Sequence, residues 1–131
     1  MLTKILTERH ILGLTLWSYL ESNDRKSPVF SEVFSENNSQ IELLQSFASE
    51  NTLATVTQNI RQFAENAPLT PRTEKEVMQL VLDKEFEIMR LTEELMMHPD
   101  TSVFVLRNIR YAAKSHKLFV EELSEKATSS F

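Results

Sequence analysis

Apolar residues recur along this chain at intervals of three and four, the spacing that gathers side chains on one face of an α-helix. A first helix is predicted from Leu2 to Ser22. Leu2, Ile5, Leu12, Leu16 and Tyr19 form its stripe, Trp17 and Leu20 widen it, and Arg9 interrupts it. The polar stretch Asn23 to Ser27 ends it. Ser27-Pro28 then has the form of an N-cap followed by proline at the first helical position. Val29, Phe30, Val33 and Phe34 predict a short amphipathic helix, closed by a break at Asn37-Asn38. Ser39 to Glu42 has the form of a capping box. Ile41, Leu44 and Ala48 carry that helix onward. Leu53, Val56, Ile60 and Phe63 keep the period but are rotated by about 110°, so the helix kinks or two helices meet near Ser49 to Thr52.

Asn66-Ala67-Pro68 ends that segment, and Thr70-Pro71 opens the next. From Thr73 to Met97, Val77, Val81, Ile88, Leu91 and Leu95 share one face. Met78, Leu82, Phe86 and Met89 add a neighbouring one. A face this broad predicts the most buried helix. His98-Pro99-Asp100 stops it, and Asp100 or Thr101 caps a final helix reaching about Lys126. The pattern as a whole predicts an all-α protein: an antiparallel bundle of four principal helices plus the short amphipathic one. It forms a single domain over residues 1–126, with a flexible tail at 127–131.

Composition agrees. The chain has 131 residues and one glycine, too few positions of positive φ for hairpins or phosphate-cradling loops. There is no cysteine, so thiolate zinc sites, disulfides and cysteine nucleophiles are excluded. The apolar run Ile11 to Leu20 is too short to span a membrane. Lys4 and Arg9 before it imitate a signal peptide, but no cleavage-site pattern follows, and a cytoplasmic protein is expected.

Net charge is −5, unevenly spread. Ser27 to Asn66 holds five acids and one arginine, whereas Thr101 to Val120 holds four bases and no acid. Those four, Arg107, Arg110, Lys114 and Lys117, follow a 3-4-3 spacing on the final helix. They stand about 120–200° from its apolar row of Val105, Ile109, Ala112, His116, Phe119 and Leu123. Three readings are open for this cationic ridge: an ordinary solvated face, a row paired with Asp83, Glu87 and Glu94 on the preceding helix, or a docking site for an acidic partner protein, a phosphate backbone or an anionic membrane. Phe30 and Phe34 are a second candidate interaction point, either entering a partner's groove or covering the end of their own bundle.

His116, on the apolar row, is expected at the core edge with a satisfied ring nitrogen. Glu94 and His98 lie at i, i+4 but have no second set, so no metal or other cofactor is expected. Gly13 lies inside an apolar helix, no serine stands in a nucleophile elbow, and no enzyme is expected. The segment VMQLVLDKEFEIMRLTEEL (Val77 to Leu95), with a further helix after it, resembles the small flagellar export chaperones. That resemblance covers one helix, has no diagnostic motif, and implies a secretion-type chaperone. The residues themselves imply a non-enzymatic protein–protein interaction module: an adaptor, regulator, inhibitor or chaperone. A nucleic-acid-associated regulator using the ridge is the alternative, which an isoelectric point near 5.2 opposes. Wide apolar faces on the first and third principal helices make a homodimer a third expectation.

Overall fold

The computed structural model describes residues 1–22, 27–66, 73–99 and 101–130. Its regular structure is entirely helical, in five helices: α1 (Leu2–Ser22), α2 (Pro28–Gln45), α3 (Glu50–Asn66), α4 (Glu74–Met97) and α5 (Val103–Ser130). The all-α helical fold expected from the pattern is therefore observed. Within the span expected to be one domain, the helices pack as two compact units, Met1–Thr73 and Glu74–Phe131.

In the first unit α1 packs against both α2 and α3. Ile5, Leu6, Leu12, Leu16 and Leu20 of α1 are buried against Phe30, Val33, Ile41 and Leu44 of α2 and Val56 of α3. Each such side chain contributes about 1.5–3 kcal/mol by leaving water. The pairings Arg9 with Asn37, Trp17 with Phe34 and Tyr19 with Phe30 descend along α2 as they ascend α1, so the two helices are antiparallel.

The start of α2 follows the sequence pattern: the Phe30 amide donates to Ser27 Oγ (3.4 Å), with Pro28 in the first turn. Its end does not. Asn37-Asn38 is no break, because Asn37 is buried and its carboxamide is held by Arg9 of α1. A tertiary bond here outweighs a weak local helix preference. The capping box at Ser39 is consequently absent, and Ser39 Oγ donates back to the Ser35 carbonyl. The element expected to be short is thus 18 residues long. The second helix start falls at Ser49, whose Oγ accepts from the Thr52 amide (3.1 Å), so two helices meet there.

In the second unit α4 and α5 form a hairpin. Thr101 Oγ1 donates to the Leu95 carbonyl (2.7 Å), Glu85 meets His116, and Met78 shares a cleft with Ala127, which fixes an antiparallel pair. The cap of α5 is Ser102, which accepts from the Val105 amide (3.2 Å), rather than Thr101; Asp100 lies outside the described residues. Residues 127–130, expected to be tail, continue the helix. The breadth predicted for α4 is only partly used: Val77, Met78, Val81, Ile88 and Leu91 are buried, but Phe86 is 52% exposed.

Burial has one consequence for pH. His10 is half-buried beside Gln45, and desolvation lowers its imidazole below the ordinary 6.5. The folded state therefore prefers neutral His10, and the unfolded chain takes up the proton first as pH falls. The stabilisation is complete above about pH 6.5 and is lost as pH drops towards the lower, folded value. Urea denaturation across that range is expected to show this loss, and His10→Gln should remove the part due to this residue.

Candidate interaction face

The orientation of α5 is set by its apolar row. Ile109, Ala112, His116, Val120 and Leu123 are all buried, and Val105 and Phe119 are half-buried. The opposite side therefore faces outward, and Arg107, Arg110, Lys114 and Lys117 are all exposed there. Among the described residues, none of the four makes a hydrogen bond or ion pair. The acidic row on α4 is instead engaged along its own helix: Asp83 accepts from Gln79 Nε2 (2.8 Å), Glu87 lies 3.9 Å from Lys84, and Glu94 pairs with Arg90. Each acid has a neighbour three or four residues away on the same helical surface, so no long side chain has to reach across the hairpin.

The outward side of α5 is not purely cationic. Phe104, Tyr111 and Leu118 stand on it, 66%, 84% and 57% exposed. They recur at intervals of seven, so they line up along the helix, and Arg107 and Lys114 lie three residues after the first two. The cationic spacing was legible in the sequence. The apolar line beside it was missed, although its seven-residue interval was visible, because nothing local distinguishes an exposed heptad position from a buried one. Lys117 also sits on the rim of an open cleft of about 730 Å³ between α4 and α5, walled by Phe86, Met89 and Val120.

Phe30 and Phe34 are not part of this face. Phe30 is fully buried, edge-on to Tyr19 with ring centroids 5.1 Å apart. Phe34 is half-buried against Trp17 at 5.5 Å. The pair packs on α1, the second of the two arrangements open for it, in which it covers its own bundle. Their spacing was right for an amphipathic helix; what it could not show was that α1 occupies that face.

The described residues also contain a buried polar pair that spacing alone half revealed. His116 Nε2 meets Glu85 Oε2, with the two side chains 5% and 1% exposed. The His116 ring also stacks on Phe119 at 6.3 Å. His116, expected at the core edge, is buried instead, and Nε2 is the ring nitrogen with the expected partner. Among the described residues no three His, Asp or Glu side chains gather as a metal-holding set. No helix among them is long and apolar enough to cross a membrane. The chain matches no family model, no curated protein and no solved structure, so a functional reading rests on the surface chemistry alone.

Proposed function

We propose that the protein is a non-enzymatic helical protein–protein interaction module that docks a partner on the outward face of α5, as an adaptor, regulator, inhibitor or secretion-type chaperone does. The observation that carries this reading is the coincidence on one helix face of four exposed cations, without an ion-pair partner among the described residues, with exposed Phe104, Tyr111 and Leu118. Apolar burial supplies affinity, and the cations steer encounter and set orientation.

Two measurements test it. Because the ridge makes no ion pair among the described residues, Arg110→Glu/Lys114→Glu is expected to leave helical circular dichroism unchanged and stability within about 0.5 kcal/mol. Unfolding of that variant would make the ridge structural. Affinity capture from native lysate should then recover a protein with the wild type that the charge-reversed variant does not retain; identical recoveries by both would refute the assignment. A nucleic-acid regulator using the same ridge predicts a mobility shift with bulk DNA or RNA at low salt that weakens steeply as salt is added. No shift at micromolar protein would remove that alternative.

A further inference from the structure

Resting on the docking role proposed for α5, we infer that its occupant is an acidic amphipathic α-helix laid along the line Phe104–Tyr111–Leu118. The shape of the line selects a helix. Three exposed apolar side chains at strict seven-residue intervals drift by only about 20° per heptad around α5, the drift that a left-handed pair of helices follows. From Phe104 to Leu118 the line runs about 21 Å, which a partner segment of about four turns would cover.

Charge selects the sign. In a heptad frame with Phe104, Tyr111 and Leu118 at one seam position, Arg107 and Lys114 fill the other seam position in the same turns. Arg110 and Lys117 fill the flank beside them. Asn108 and Ser115 occupy the opposite flank, so the cations lie on one side only. A partner helix with apolar residues every seventh position and carboxylates along one edge matches both features, and the one-sided charge fixes which way round it lies. A membrane surface fits less well. Phe104, Tyr111 and Leu118 span about 40° of the helix circumference, and the exposed Val103 stands apart from them at the first residue of α5, whereas a helix lying in a bilayer interface carries a continuous apolar face of about 100° or more. Nucleic acid fits less well again, since Tyr111 and Leu118 would stand among phosphates beside the cations.

The test uses the full chain and a dye-labelled designed helix of about 21 residues, with leucine at its seam and glutamate along one edge. A second peptide replaces each glutamate by lysine. Fluorescence anisotropy should show the glutamate peptide binding about tenfold more tightly than the lysine peptide, with the difference shrinking as salt rises. Leu118→Asp should weaken binding of the glutamate peptide by about tenfold or more. Reversing all four cations, Arg107→Glu/Arg110→Glu/Lys114→Glu/Lys117→Glu, should reverse the preference in favour of the lysine peptide, a swap that mere loss of structure would not produce. Equal binding of both peptides, or none, overturns the inference. So do binding to phosphatidylserine vesicles or to duplex DNA in place of the peptide, and self-association abolished by Leu118→Asp, which would make the occupant a second copy. Should the peptides fail while ridge reversal still abolishes capture from lysate, the docking role stands and only the helical, acidic identity of the partner falls.

Discussion

Replacing His116 by leucine while keeping Glu85 is expected to destabilise the second unit by about 3–5 kcal/mol, the usual cost of breaking a buried ionisable pair by removing one partner. Glu85 is 1% exposed, so its carboxylate has little water to turn to when the imidazole is removed. The converse change, Glu85→Met, should cost less. It leaves an imidazole that keeps its stacking on Phe119, and methionine fills the space flexibly. The double replacement Glu85→Met/His116→Leu should recover most of the loss, because two apolar side chains facing one another need no partner. Urea denaturation of the four proteins, followed by circular dichroism, gives the coupling energy directly. Single costs below about 1 kcal/mol that simply add would show that the pair is not coupled.

That pair also shows where sequence reasoning stops. Helix periodicity found the rows correctly: Ile5, Leu12 and Leu16 on α1, Val77, Val81 and Ile88 on α4, and Ile109 and Ala112 on α5 are all buried. Four polar residues stand on those rows or their equivalents. Arg9 lies between Ile5 and Leu12, Asn37 between Val33 and Ile41, Glu85 between Val81 and Ile88, and His116 between Ala112 and Val120. Each is an interruption in a one-dimensional pattern. In three dimensions they are two pairs, Arg9 with Asn37 and Glu85 with His116. A buried polar group is costly without a partner; buried Thr15 finds its own in the Ile11 carbonyl one turn back, but a longer polar side chain that interrupts a buried stripe implies another one facing it. Which interruption faces which depends on helix register, and no local spacing encodes that. The same limit explains the misplaced break at Asn37-Asn38, where two residues of turn-like character are kept helical by a contact 28 positions away in sequence. It explains Phe30 as well. By contrast the cationic ridge was fully legible, because a row opposite a buried row must face outward whatever the register.

Asn37 tests this account at the other pair. Its Nδ2 donates to the Arg9 carbonyl at 2.9 Å, and its Oδ1 accepts from Arg9 Nη1 at 3.4 Å. The carboxamide thus serves a helix backbone and a guanidinium that is itself 2% exposed. The lone glycine makes room for it: a Cβ on Gly13 would stand 3.2 Å from Asn37 Nδ2. Asn37→Leu removes both bonds and leaves the arginine with less to offset its desolvation, so a loss of about 3 kcal/mol is expected in urea denaturation. Asn37→Asp separates the two bonds at constant shape. It strengthens the acceptor facing the guanidinium but replaces the donor facing the Arg9 carbonyl with an oxygen, setting two acceptors against each other. If the guanidinium contact dominates, Asn37→Asp should be much less damaging than Asn37→Leu; the longer 3.4 Å contact and shorter 2.9 Å one argue that the backbone bond carries more. Asn37→Asp is therefore expected to retain less than half of the stability separating the wild type from Asn37→Leu. A variant as stable as the wild type would show instead that α2 is held to α1 here by charge.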